Sequence, residues 1–141
     1  MEKIFLLLVL FEIKHFLADY PMQNEYMLGK FKDGKDFILP LVAHSLAHAA
    51  FTFGIAFAFT FSLKMASLLS LADFVIHFGM DRIKAGKKYL GRFKSLGAKE
   101  FPLASDIQKR HNRYFWWSLC FDQMVHHLTH YVLIACIVFL V

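Results

Sequence analysis

The sequence predicts an all-α, integral-membrane four-helix bundle, and three observations carry this prediction. Of the 141 residues, 57% are apolar and 19% are charged, whereas soluble domains average about 45–50% apolar and about 25% charged residues. The apolar residues form four long segments without the two-residue period of β-strands. The charged residues cluster between these segments. Because backbone polar groups in lipid must be satisfied within the segment, we expect all four segments to be helical.

The four helices are predicted to form a single domain that covers residues 1–141. Their expected ranges are about 4–19, 37–62, 65–81 and 114–141. A hydrocarbon core about 30 Å thick needs about 20 helical residues, so the first and third helices are short for a span. Residues 20–36, with a proline and two glycines, are expected to form a loop, and residues 63–65 a tight turn.

The start of the fourth helix carries two local signals. Ser105 is followed three residues later by Gln108, a capping-box pattern that predicts a helix beginning near Asp106. Tyr114, Trp116 and Trp117 follow and are typical of the boundary between membrane and water. We therefore expect this helix to begin outside the membrane.

A long basic segment, residues 82–113, separates the third and fourth helices. It holds ten lysines and arginines against two acidic residues, and with residues 20–36 it accounts for thirteen of the sixteen basic residues. The positive-inside rule therefore places both loops in the cytoplasm and both termini in the periplasm, across a bacterial inner membrane. The bilayer is the expected partner. The segment can also attract anionic lipid headgroups or a cytoplasmic protein. We do not expect nucleic acid to bind, since topology alone explains the charge.

Every predicted helix carries a histidine four residues from an aspartate or another histidine. Residues four apart share one face of a helix. At about 1.5 Å per residue, the groups lie within roughly 5–18 Å of the expected cytoplasmic boundary, so they can meet in one layer. The groups are His15–Asp19, His44–His48, Asp73–His77–Asp81 and Asp122–His126–His130.

Such a layer predicts a bound divalent cation. A charged residue at this depth costs at least about 2.5–3.5 kcal/mol. Lysine and arginine offer few partners, because only Lys14 lies within a predicted helix core, and we expect it to reach toward the interface. Histidine with carboxylate favours transition metals, here one or two ions of zinc or manganese. A polar network without metal is the alternative. The expected ligands are His15, Asp19, His44, His48, His77, Asp81, Asp122 and His126.

Two further roles follow from the same pattern. Asp73 is the spare carboxylate, expected to act as a general base or to orient His77. His127 and His130 are expected to surround the ligands without binding the metal.

Four motifs also resemble a known family: "HFLADYPMQ" from His15, "HSLAH" from His44, "HFGMD" from His77 and "DQMVHH" from Asp122. On these motifs the chain resembles domain-of-unknown-function family 3307, small integral-membrane proteins of bacteria and phages. The resemblance adds Gln23 and Gln123 to the positions around the ligands and implies no activity. A looser similarity, to membrane-bound metal-dependent hydrolases, implies hydrolysis without a substrate.

The leading functional hypothesis is a membrane-embedded, metal-dependent hydrolase that acts on a lipid-like or membrane-associated substrate from the cytoplasmic side. A divalent-metal transporter or channel is the first alternative, because intramembrane aspartate and histidine also mark ion pathways. Such a path needs polar groups in both halves of the bundle, and the expected outer halves are almost purely apolar. The second alternative is a non-catalytic, phage-type membrane protein with a structural metal or polar network.

Overall fold

The computed structural model describes residues 1–32, 34–86, 88–90, 103–111 and 113–140, with only the backbone at 114 and 115. These residues form α-helices and one short 3-10 helix and contain no strand, so the all-α prediction is confirmed. The α-helices are α1 (Glu2–Asp19), α2 (Ile38–Thr60), α3 (Leu63–Ala85), α4 (Asp106–His111) and α5 (Arg113–Phe139), and the 3-10 helix is Met27–Phe31.

The predicted turn at residues 63–65 is wrong, because the chain reverses earlier. Phe61 ends α2 in the left-handed conformation, with φ of 50°. The Ser62 hydroxyl then accepts a hydrogen bond of 3.2 Å from the Met65 backbone N–H and caps α3. Residues 63–65 are therefore the first turn of α3.

The far end of α3 also departs from the prediction, which ended it at Asp81. The helix continues to Ala85, so Arg82 and Lys84 belong to it rather than to the basic segment. Lys84 consequently lies one helical turn beyond Asp81, on the same face. This extension places a cation beside the predicted metal ligands.

The capping box before α4 is confirmed. The Ser105 N–H donates to Gln108 Oε1 at 3.0 Å, and the Gln108 N–H donates to Ser105 Oγ at 3.3 Å. Of the predicted interface residues, Trp116 and Trp117 are exposed, while the side chain of Tyr114 lies outside the described part. Residues 87, 91–102 and 112 of the predicted basic segment also lie outside it.

The four long helices pack side by side, with α2 against α3, α1 against α2 and α5, and α3 against α5. A buried apolar cluster joins the first halves of α1 and α3 to the last halves of α2 and α5, so successive long helices run in opposite directions. The polar residues discussed below fill the other end of the bundle. The apolar cluster comprises Leu7, Phe11, Ala56, Ala66, Leu69, Leu133, Ile134 and Ile137.

Burial in this protein is inverted relative to a water-soluble domain. Among the described residues, sixteen polar or charged side chains are buried against twelve apolar ones. Large apolar side chains point outward instead, as at Phe5, Leu71 and Val132, which are 70%, 59% and 63% exposed. A surface of this kind is suited to an apolar solvent.

Two of the described helices, α2 and α3, are long and apolar enough to cross a membrane. The other two long helices do not pass the same test. α1 carries five charged side chains, and α5 places an aspartate, a glutamine and three histidines in its middle. Spanning by α1 and α5 stays a prediction.

Candidate metal centre

The predicted ligands come together in one buried layer. α1 contributes His15 and Asp19 from its last turns, and α2 contributes His44 and His48 from its first half. α3 and α5 contribute their four-residue-spaced groups from the same level of the bundle. Seven of the eight are at most 5% exposed, and the Asp19 side chain is 16% exposed. Helix periodicity places each group on one face, and antiparallel packing brings the four faces together.

The first cluster within this layer is formed by Asp19, His44, His48 and His77. One ligand atom from each residue lies within 4.8 Å of the others. Asp19 Oδ1 is 3.2 Å from both His44 Nε2 and His48 Nε2. A carboxylate and three imidazoles at these separations can hold a transition-metal ion.

The second cluster shares His77 with the first and adds Asp81 and His126. The His77 ring lies between two others, with centroids 3.6 Å from His48 and 3.9 Å from His126. Neither nitrogen of His77 has a hydrogen-bond partner in the described part of the chain. The expectation that Asp73 orients His77 is therefore wrong, and both nitrogens of this buried ring are left for a ligand.

Several nitrogen and oxygen atoms of the layer face each other without the angles of a hydrogen bond. His44 Nε2 lies 3.2 Å from Asp19 Oδ1 and 3.3 Å from Asp81 Oδ2, yet it forms no hydrogen bond among the described residues. His126 Nε2 is likewise 3.3 Å from Asp122 Oδ1. Ligand atoms bound to tetrahedral zinc at about 2.0–2.1 Å lie about 3.3 Å apart. The separations match those of two atoms that bind one ion, and His44 and Asp19 of these pairs belong to the same cluster.

His15 and Asp122 lie in the layer but belong to neither cluster. His15 Nε2 is 3.0 Å from Asp19 Oδ2 and 2.9 Å from Gln123 Oε1. Gln123 Nε2 donates in turn to Asp122 Oδ2 at 3.2 Å. These contacts fix the positions of the Asp19 and Asp122 carboxylates. Gln23 lies half-buried after α1, and none of the described hydrogen bonds of the layer involves it.

A buried and a half-buried lysine compensate the carboxylates, so the expectation that lysine offers too few partners is wrong. Lys30 Nζ donates to Asp81 Oδ2 at 2.7 Å. Lys84 Nζ lies 3.0 Å from Asp81 Oδ1 and 2.7 Å from Asp122 Oδ2. Lys30 reaches the layer because the 3-10 helix packs on α2 and α3. Burial lowers the pKa of the Lys30 ammonium, and the negative charge of Asp81 opposes that shift.

Asp73 belongs to a separate ion pair. Its Oδ2 accepts hydrogen bonds from Lys14 Nζ at 2.7 Å and from the Thr52 hydroxyl at 2.6 Å. Lys14 also lies 3.3 Å from His130 Nε2. Lys14 is only 1% exposed, so the prediction that it reaches toward the interface is wrong. An aspartate held by an ammonium group in this way is a charge partner, which leaves its predicted role as general base without support.

A third cluster lies at the side of the bundle, between α1 and α5. Glu12, His127 and His130 place ligand atoms within 4.8 Å of one another, and His127 Nδ1 is 2.9 Å from Glu12 Oε1. Glu12 and His127 line a cavity of 430 Å³ with Met124, Leu128 and Tyr131. The side chains of Glu12 and His127 are 50% and 34% exposed, in contrast to the buried central layer.

The fold and this site define a class: an all-α protein whose buried histidine–carboxylate clusters can hold a metal ion. A comparison with protein families makes the assignment specific. The family described as "Protein of unknown function (DUF3307)" matches residues 6–141, and the chain belongs to this family. No curated protein and no solved structure matches the chain significantly.

Proposed function

We propose that this protein is a multi-pass protein of the bacterial inner membrane and acts there as a metal-dependent hydrolase. It holds one or two divalent transition-metal ions, zinc or manganese, in the cytoplasmic half of the bundle. Its substrate is lipid-like or membrane-associated. The observation that carries the proposal is the buried layer, in which imidazole nitrogens without a hydrogen bond to any described residue lie 3.2–3.3 Å from carboxylate oxygens.

The inverted burial supports the location in the membrane. Water drives apolar side chains inward, so polar side chains inside and large apolar ones outside are the pattern of a bundle surrounded by lipid. α2 and α3 have the length and apolarity of membrane spans, and α1 and α5 complete the bundle by covering the charged layer. The basic residues between α3 and α5 favour the cytoplasm for that connection.

The residues divide the chemistry of the site between them. Asp19, His44, His48 and His77 would hold one ion, while Asp81 and His126 would bind a second on the other side of His77. A bound metal lowers the pKa of a coordinated water and polarises a phosphoryl or carbonyl oxygen. His15 orients Asp19, as partners that fix metal ligands commonly do. Lys84 and Gln123 hold Asp122 beside His126.

One observation favours a second candidate, a structural polar network without catalysis. Lys14, Lys30 and Lys84 already compensate Asp73, Asp81 and Asp122 without any metal. A transporter is less well supported, since the apolar cluster fills the half of the bundle where a transport path needs polar groups. Metal content separates a metal centre from a metal-free network, and product release separates the enzyme from a structural metal.

Protein purified in detergent is expected to contain one or two equivalents of zinc or manganese, measured by elemental mass spectrometry. It should release a soluble product from bacterial membrane lipids, and a chelator should stop this release because the coordinated water is lost. The His111→Ala variant is the matched control, since this histidine is exposed on α4. A protein that purifies without metal, and whose melting temperature ignores added zinc and manganese, would favour the network instead.

The topology is tested by labelling from outside the cell. In a protein whose Cys120 and Cys136 are replaced by serine, a cysteine introduced at Arg110 should not react with a membrane-impermeant maleimide in intact cells. Arg110 is exposed on α4, so shielding by the fold does not explain protection. Permeabilised cells supply the control, because there the same cysteine should react. Rapid labelling in intact cells would place this connection in the periplasm and reverse the topology.

A further inference from the structure

The charges of the central layer do not balance once a metal is bound. Asp19, Asp81 and Asp122 contribute three negative charges among the described residues, and Lys30 and Lys84 contribute two positive ones. The remainder is one negative charge, since Lys14 and Asp73 cancel each other. Imidazoles that coordinate a metal are neutral. One divalent ion therefore changes the net charge of the layer from −1 to +1.

The positive charges of a metal-bound layer would be concentrated around Asp81. Both of its oxygens are engaged by ammonium groups, Oδ2 by Lys30 at 2.7 Å and Oδ1 by Lys84 at 3.0 Å. The same carboxylate belongs to the second metal cluster with His77 and His126. A cation bound there would share the negative charge of Asp81 with the two lysines. It would also repel both ammonium groups at short range.

A buried charge without a partner is strongly unfavourable, so a positively charged metal-bound layer favours the binding of an anion. Lys30 and Lys84 are 4% and 12% exposed at their side chains, which prevents water from screening them fully. Each ammonium has three N–H donors. In the described contacts Lys30 uses one of them on a carboxylate and Lys84 uses two, so both retain donors for a further acceptor.

We propose that the metal-bound layer takes a phosphate-type oxyanion, received by Lys30 and Lys84 beside the Asp81 cluster. This inference rests on the proposed metal centre and names the substrate class of that site, a phosphoryl compound. Phosphate fits better than a halide because it carries up to two negative charges and offers separate oxygens to the metal and to each ammonium. Lysine is a common phosphate partner in proteins and acts there as a point charge.

The same phosphoryl chemistry can come from a lipid headgroup or from a soluble phosphate compound. The two sources differ in how they compete. A headgroup phosphate enters from the bilayer, so its effect depends on lipid composition. A soluble phosphate enters from the cytoplasm and acts equally in any bilayer.

Binding is measured by phosphorus NMR relaxation of inorganic phosphate, with manganese-loaded protein in phosphatidylcholine nanodiscs. Manganese is paramagnetic, so phosphate that binds beside it relaxes faster, and the enhancement should saturate and disappear with a chelator. Lys30→Met is expected to weaken phosphate binding by about ten- to a hundredfold, the value of a charge-assisted hydrogen bond. Lys30→Arg should retain most of the affinity. Lys32→Met is the matched control, because Lys32 is exposed in the same loop.

Manganese content is determined first, which separates the two proposals. Protein that binds no manganese overturns the metal centre and this inference with it. Protein that binds manganese but leaves phosphate relaxation at the level of empty discs overturns this inference alone, as does an equal loss of affinity in Lys30→Met and Lys32→Met. Discs that contain phosphatidic acid identify the source. If phosphatidic acid competes with inorganic phosphate for the site, a lipid headgroup is the source. If phosphatidic acid does not compete and the binding of inorganic phosphate is saturable, the source is a soluble phosphate compound.

Discussion

Replacing His44 and His48 together by alanine is expected to abolish metal binding and the stabilisation that depends on it. These residues supply two of the four ligands of the first cluster and are fully buried. Without them Asp19 loses two imidazoles at 3.2 Å. A ligand that binds only the folded state stabilises it by about 2.7 kcal/mol at a hundredfold excess over its Kd. The melting temperature of the double variant should no longer rise on addition of zinc or manganese.

The measurement must separate loss of metal from loss of packing. Removing two buried rings also leaves cavities, which destabilise a protein with or without metal. Melting in chelator therefore gives the packing effect, and the extra difference in the presence of metal gives the ligand effect. The His111→Ala variant should show the full metal response of the parent. A double variant that retains both its metal content and its metal-dependent shift would exclude the first cluster as the binding site.

Replacing Lys14 by methionine is expected to destabilise the protein by about 3–5 kcal/mol, the usual effect of removing one partner of a buried ion pair. Lys14 and Asp73 are 1% and 2% exposed at their side chains and are 2.7 Å apart. Without the ammonium, Asp73 keeps only the Thr52 hydroxyl as a described donor. Its negative charge would then be buried without compensation or would have to be neutralised by a proton.

The second replacement, Asp73→Asn in the Lys14→Met background, should recover a large part of this loss. The asparagine carries no charge and its oxygen can still accept the Thr52 hydroxyl. Lys64→Met is the matched control, because Lys64 is exposed in the first turn of α3, and its stability should stay within about 0.5 kcal/mol of the parent. Thermal unfolding in detergent measures all three variants. Equal stability of Lys14→Met and the parent would show that the pair does not stabilise the fold.

Neither variant of this pair should alter metal content in the folded protein, because Asp73 belongs to no metal cluster of the described residues. This expectation distinguishes the Lys14–Asp73 pair from the layer around His77. It also tests whether Asp73 is a charge partner of Lys14 rather than a residue of the metal centre. Loss of metal in a folded Asp73→Asn protein would return that carboxylate to the metal centre.

The amino-acid sequence by itself determined the all-α class and most of the buried histidine–aspartate layer. Histidines and aspartates four residues apart share a helix face whatever the rest of the chain does, because helix geometry is local. The capping box at Ser105 and Gln108 is local in the same sense, and it was predicted correctly. The shared depth of the groups followed from counting residues along four antiparallel helices.

Other features required the tertiary structure, because they depend on contacts between residues far apart in sequence. Lys30 reaches Asp81 across fifty-one positions, and Lys14 reaches Asp73 across fifty-nine. Glu12 meets His127 between helices at opposite ends of the chain. No periodicity signals such pairs. Lys84 is the exception, since a longer α3 would have placed it beside Asp81 by helical spacing alone.

The tertiary structure also decided which polar residues act together. Spacing alone put Asp73 and His77 on one face, and only the packing of α1 assigned Asp73 to Lys14. Among the described residues, neither nitrogen of His77 has a hydrogen-bond partner. The physical reason is that a buried carboxylate is stabilised by the nearest available cation or donor. Sequence periodicity determines the face on which a side chain lies. The identity of its partner depends on which neighbouring helices approach that face.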